Sequence, residues 1–219
     1  VDSLETRAER AARTGSTAVA IRLNSRILER DSTDLGTLSE RVFLYAEQGK
    51  YAQAAADLRR FQEADPTTPA DIIGSRGWFL TLAGHLEKAR ELARRAIEMD
   101  PSSGTWQLNL GHTYLLDDQP RTAKYYYRKA IARVETREEL KRYLSDFDTF
   151  VKQDRSPEEA EAMKDWFHVT YLSEGEELRS REGGLLAFLG TWITLVVGLI
   201  SLFQRGGEAM TEKGRSAVR

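Results

Sequence analysis

The stretch IGSRGWFLTLAGHLEKARELARRAIEMDP, Ile73–Pro101, decides how the chain is read, because LSERVFLYAEQGKYAQAAADLRRFQEADP, Leu38–Pro66, repeats its design 35 residues earlier. Each stretch holds two amphipathic segments of about a dozen residues, parted by a glycine, Gly84 in one and Gly49 in the other. A glycine just past a helix end takes the left-handed cap conformation without strain. The polar residues after it start a second helix. Asp-Pro then ends that helix, because the residue before proline avoids helical angles and proline cannot continue the hydrogen-bond ladder. The unit is a helix hairpin of 34 residues.

The same ruler runs further along the chain. Gly15, Gly49 and Gly84 are spaced by 34 and 35 residues, and Ala20, Ala54, Ala89 and Ala123 by 34, 35 and 34. Asp31, Asp65 and Asp100 keep the same register, with Pro66 and Pro101 directly after the last two. Agreement of three registers marks a stacked repeat array. The repeated alanine has a packing role: where two helices cross, only a small side chain allows close approach.

The segment WQLNLGHTYLL (Trp106–Leu116), followed by Ala123 and Ala130, resembles the tetratricopeptide repeat family. Leu110, Gly111 and Tyr114 occupy the family's large–small–aromatic pattern in the first helix. The preceding copy places Gly77, Leu80 and Ala96 at matching positions, and the copy before it Val42, Tyr45 and Phe61. The first copy has Ala8, Ala11, Gly15, Ala20 and Ile27, but Ser32 where proline is usual. The last copy has Asp118 in place of glycine and no Asp-Pro at its end. Four copies are expected over residues 1–137, at about 1–34, 35–69, 70–103 and 104–137. The resemblance implies an all-α fold, a right-handed solenoid of helix hairpins. About function it says little, because the fold hosts many.

Residues 138–172 lack the glycine and alanine marks but keep a helical pattern, with Leu140, Tyr143, Leu144, Phe147, Phe150 and Val151 recurring at three and four. Ser156-Pro157-Glu158-Glu159 reads as a helix start, with serine as cap and carboxylates near the positive end. This pair is expected to cap the last apolar face of the stack. Residues 173–184, SEGEELRSREGG, read as a juxtamembrane linker, or as a juxtamembrane helix broken at Gly183.

Leu185–Phe203 reads LLAFLGTWITLVVGLISLF, nineteen residues without Asp, Glu, Lys, Arg or His. As a helix it spans about 28 Å, close to the roughly 30 Å hydrocarbon core of a bilayer. A buried core helix of this length would show a polar stripe, and none is present. One transmembrane helix is therefore expected at 185–203, followed by a basic tail at 204–219. Gly190, Thr194 and Gly198 fall four residues apart on one face, a small-residue stripe that suits close helix–helix packing in lipid.

Composition bounds the function. The chain of 219 residues carries a formal net charge of −2, so no basic field supports nucleic-acid binding. Cysteine is absent, which removes disulfides, thiolate metal sites and a cysteine nucleophile from this chain. No phosphate-cradling glycine loop and no GxSxG nucleophile elbow occurs. His85, His112 and His168 are scattered, without an HExxH pattern. No catalytic residue, cofactor or metal site is expected, and the chain is read as a non-enzyme.

In the tetratricopeptide family the first helices of successive hairpins line a concave groove that takes a peptide or a helix. Phe43, Trp78 and His112 recur here at 35 and 34 residues on that helix. Leu82, Leu116 and Phe150 recur at 34 on a neighbouring position, with Leu108 nearby. These seven residues form the candidate protein-binding groove. The same residues suit packing between repeats, and the chain's own helices at 156–172 are candidate occupants. Glu5, Glu9, Ser39 and Phe43 stand where chaperone-binding members hold a C-terminal carboxylate, so an acidic terminus is not the expected ligand.

These readings combine into a membrane-anchored scaffold, assembly factor or accessory subunit. It would meet a partner protein in the groove and a membrane complex, or a second copy, through the span. The alternative is the non-catalytic regulatory C-terminal region of a larger modular enzyme, motivated by the missing initiator methionine before Val1. A bacterial inner membrane is the expected location. The side is open: a single late span favours cytosolic repeats, whereas Arg205, Lys213, Arg215 and Arg219 after it, against Arg179 and Arg181 before it, favour a cytoplasmic tail.

Overall fold

In the computed structural model of the chain, residues 3–65, 67–175 and 177 are described. Eight helices pair as four hairpins: α1 (Leu4–Arg13) with α2 (Thr17–Arg30), α3 (Leu35–Glu47) with α4 (Tyr51–Ala64), α5 (Ala70–Leu82) with α6 (Leu86–Met99), and α7 (Gly104–Leu115) with α8 (Pro120–Ile131). Helix α9 (Arg137–Lys152) follows, and α10 begins at residue 157 and runs to 175. No strand occurs among the described residues. The architecture is an all-α stack of helix hairpins of the tetratricopeptide type.

The turns form for the reason their glycines suggest. Gly15, Gly49 and Gly84 have φ of 73°, 68° and 86°. The amide after each bonds the carbonyl five residues back, Ser16 to Ala11, Lys50 to Tyr45 and His85 to Leu80, each at 2.8 Å. This is the helix-ending motif that satisfies otherwise orphaned carbonyls. The fourth hairpin makes the same turn without glycine. Asp118 takes φ 53°, and the Gln119 amide bonds the Tyr114 carbonyl at 2.9 Å.

The hairpin ends use a device that the Asp-Pro reading overlooks. Oδ1 of Asp31 accepts from the Thr33 amide at 3.0 Å and its hydroxyl at 2.8 Å. Asp65 accepts from Thr67 at 2.9 and 2.7 Å, and Asp100 from Ser102 at 3.1 and 2.6 Å. The signature is Asp-x-Ser/Thr, in which the carboxylate turns the chain by binding the backbone two residues on. That turn needs no proline, which explains Ser32 in the first copy.

Small residues set the helix spacing. Ala20, Ala54, Ala89 and Ala123 have no exposed surface. A Cβ added to Gly111 would lie 2.4 Å from the Tyr127 ring, and one added to Gly74 would lie 2.3 Å from the Trp106 ring. Within the second hairpin sits a buried ion pair that also reaches the first. Arg41 on α3 donates to both oxygens of Asp57 on α4, at 2.7 and 2.6 Å, and to Ser25 Oγ on α2 at 2.9 Å. The bidentate geometry satisfies the guanidinium where water is excluded.

Helices α9 and α10 pack through large rings. Tyr127 on α8 meets Phe147 on α9 at 5.4 Å and Phe167 on α10 at 5.8 Å between centroids, both edge-on. Tyr143, Phe147, Phe150 and Phe167 have no exposed surface. The start of α10 differs from a serine-capped one: Ser156 has φ 46° and contributes its carbonyl to the Ala160 amide at 2.8 Å. The helix also continues past residue 172 through 175, into the stretch read as a linker or a juxtamembrane helix.

Among the described residues no helix is long and apolar enough to cross a membrane. The expected span at 185–203, its Gly190–Thr194–Gly198 stripe and the tail at 204–219 lie outside the described residues.

Candidate protein-binding groove

The first helices α3, α5 and α7 carry the repeated aromatic line Phe43, Trp78, His112, and the structure treats its three members differently. Phe43 is 68% exposed, Trp78 is half-buried and His112 is fully buried. The cause is α9, which lays Phe150 across the line. Phe150 lies 5.7 Å from Trp78 and 4.9 Å from His112, while Trp78 and His112 are 5.6 Å apart.

The other predicted groove residues follow the same division. Leu82, Leu116, Trp78 and Phe150 join one apolar cluster with Ala160 of α10. Leu108 is fully buried, but in a separate cluster beneath α8 and α9. Thus Trp78, Leu82, His112, Leu116 and Phe150 are brought together and covered by the chain itself. Leu108 serves the core, and Phe43 stands apart on the open part of the face.

The cover is latched at the turn between α9 and α10. Arg155 Nη1 donates to the carbonyls of Thr81 and Leu82, at 2.8 and 2.6 Å, and Gln153 Nε2 donates to Tyr51 Oη at 2.9 Å. The first two acceptors are terminal carbonyls of α5, where a cation suits the negative helix end. Burial nevertheless pushes the Arg155 guanidinium below its ordinary pKa.

His112 sits at the centre of a polar thread through this packing. Its Nδ1 lies 2.9 Å from Tyr127 Oη, and its Nε2 lies 3.7 Å from Asp146 Oδ2 on α9. Burial holds the imidazole pKa below its ordinary value, against the opposing pull of Asp146. Burial likewise pushes the Tyr127 phenol well up. The histidine is therefore neutral near pH 7, with one ring nitrogen available to each neighbour.

Beside the cover a cavity of about 360 Å³ opens between α5, α7 and α9. Asp71, Ser75 and Trp78 face it from α5, Thr105, Trp106 and Asn109 from α7, and Arg142, Tyr143 and Asp146 from α9. This site is lined largely by polar residues, so it lies outside the apolar pattern of the predicted groove. The signal was present: Asp71 and Thr105, and Ser75 and Asn109, stand 34 residues apart on the same ruler.

The electrostatics of the face are one-sided. Helices α3, α5 and α7 hold two arginines. Arg41 is committed to Asp57, and Arg76 donates to Gln62 Oε1 at 2.6 Å. Glu40, Glu47 and Asp71 remain there, and Glu5 and Glu9 stand exposed on α1. Among the described residues no group of His, Asp and Glu is arranged to hold a metal ion.

No family model matches the sequence, and no curated protein matches it. Solved structures of MamA are similar in fold. One MamA crystal structure is 20% identical, with 81% of this chain and 96% of that chain covered and a TM-score of 0.55. MamA from Desulfovibrio magneticus RS-1, residues 41 to the end, is 19% identical over 59% of this chain and 73% of that one, with a TM-score of 0.52. MamA MSR-1 is 18% identical over 59% and 75%, also with a TM-score of 0.52. At these identities the likeness is one of fold: a helix-hairpin solenoid.

Proposed function

We propose that this chain is a membrane-anchored scaffold or accessory subunit that receives a partner protein on the open part of its inner face. The observation that carries the proposal is Phe43. It is 68% exposed on α3, in register with Trp78 and His112, whose rings are covered by α9. A large ring left in water on the one uncovered position of a repeated line is a natural hydrophobic anchor for a docked segment. The anchor to the membrane is the apolar run Leu185–Phe203, which has the length and composition of a span. A family groove, an exposed aromatic and a single span together describe an adaptor that holds a partner beside a membrane complex.

The experiment is affinity purification of the full chain from its native membrane in mild detergent, comparing wild type with Phe43→Ala. The expected result is loss of one or more co-purifying proteins at unchanged helicity. Identical co-purifying composition would sink the proposal. Cleavage after Gly184 is expected to release a soluble helical protein. Retention of that product in the membrane fraction would remove the anchor.

A further inference from the structure

We propose that the cavity between α5, α7 and α9 is a subsite for one lysine or arginine side chain of the docked partner. The proposal rests on the partner-binding reading and gives that partner a charge.

Two carboxylates border the cavity, and neither has a cation. Asp71 is exposed and forms no ion pair among the described residues. Asp146, with a side chain 23% exposed, has His112 as its ion-pair neighbour, and that imidazole is held neutral by burial. The half-buried ring of Trp78 lines the same cavity, a surface on which an ammonium or guanidinium gains cation–π attraction. The arginine at the mouth does not fill the site. Arg142 lies 3.6 Å from Glu139 Oε1, and its guanidinium sits 5.6 Å over the Tyr143 ring.

Two further groups bear on a ligand independently of the carboxylates. Trp106 is 6% exposed, lines the cavity, and its buried Nε1 has no hydrogen-bond partner among the described residues. Asn109 is 5% exposed and lines the same cavity, and its side-chain amide makes no hydrogen bond to any described residue. The Trp106 Nε1 is enclosed by the protein, whereas the Asn109 amide has no protein partner and is open to a ligand in the cavity. An asparagine amide both donates and accepts. A cationic residue of an extended peptide offers both at once: the charged end to the carboxylates and its own backbone amide to Asn109. The acidic groups Glu40 and Glu47 on α3 extend the same preference towards Phe43.

The test uses the full chain in mild detergent, with the indole N–H resonances of Trp78 and Trp106 as reporters. The probes are an acetylated Ala-Arg-Ala amide and its lysine, citrulline and glutamate counterparts. Saturable shifts are expected with arginine and lysine, and binding at least about tenfold weaker with neutral citrulline. Asp71→Asn with Asp146→Asn should weaken the arginine probe by about tenfold or more. Asp71→Asn alone changes an exposed group, so it keeps the test open if the double variant does not fold; about threefold weakening is expected from it. Equal binding of citrulline, preference for glutamate through Arg142, or unchanged affinity in the Asp71 variant each overturns the subsite. The probes are short and require no partner, so failure here is separate from failure of the Phe43 purification experiment.

Discussion

Asp146 Oδ2 on α9 stands 3.7 Å from Nε2 of His112 on α7, a histidine with no exposed surface. Its other nitrogen lies 2.9 Å from Tyr127 Oη on α8. The imidazole meets the covering helix through the rings of Phe147 and Phe150, each 4.9 Å away, and the last hairpin through Tyr127.

Burial depresses the folded pKa of His112 below its ordinary value of 6.5. In the unfolded chain the same group protonates near that ordinary value. The folded protein therefore binds fewer protons between the two values, and stability rises with pH across that window. Stability is full above about pH 6.5 and declines as pH falls towards the depressed value. Urea unfolding between about pH 7.5 and pH 5.5 should show that decline, and His112→Gln should flatten it. An equal pH slope in the variant would show that His112 is not the group responsible.

The repeat architecture was legible because its devices are local. Gly15, Gly49 and Gly84 mark turns by their own backbone freedom, and the alanine at each helix crossing is dictated by one neighbour. Asp118 broke the glycine pattern yet makes the same turn, since aspartate tolerates the left-handed region better than most residues. The division of the inner face was not legible. Phe43, Trp78 and His112 are equivalent along the sequence, and only the long-range placement of Phe150 separates an exposed ring from two covered ones. Nothing in the spacing of Phe150, 34 residues after Leu116, says that it will reach back to α5. The cavity carboxylates were hidden for a related reason. Asp71 and Asp146 are 75 residues apart, and a carboxylate on an amphipathic helix is ordinarily a solvated one.

Gly111→Ala tests whether the small residue of the first helix is a packing requirement. Helix propensity alone would make alanine more stable by about 1 kcal/mol. The added Cβ would lie 2.4 Å from the ring of Tyr127, which is itself fully buried and bonded to His112. Overpacking of this kind typically costs about 1–3 kcal/mol, so net destabilisation is expected. Chemical denaturation decides the sign; an increase in midpoint would show that Tyr127 has room to move.

The pair Arg41–Asp57 should be costly to break and cheap to replace. Arg41→Met leaves the buried Asp57 with only Arg60, whose Nη1 lies 3.7 Å from Oδ1, and loss of about 3 kcal/mol is expected. Adding Asp57→Leu removes the stranded charge and should recover most of that loss. Ser25 Oγ, which accepts from Arg41 at 2.9 Å, is part-buried and makes its own bond to the Ile21 carbonyl at 2.8 Å, so it tolerates the change. A double variant as unstable as the single one would mean that the bidentate pair specifies the approach of α3 to α4 as well as satisfying its charges.

Arg155 is where the cover over the groove meets the repeats. Its guanidinium bonds the last carbonyls of α5 while Gln153 holds Tyr51, so the α9–α10 turn touches two earlier hairpins. Arg155→Gln removes the cation that complements the negative end of α5. It also frees two acceptors whose desolvation was compensated by that cation. The loss should fall on docking of the cover, because the cores of the first two hairpins are built from residues of α1 to α5. Hydrogen exchange is expected to speed up by about tenfold in α9 and α10, with little change in α1 to α4, as for a sub-global opening. Trp78 emission should move to the red as Phe150 and its helix loosen from it. Uniform acceleration along the chain would instead mean that the cover and the repeats unfold as one unit, and that the buried half of the groove opens only when the whole stack does.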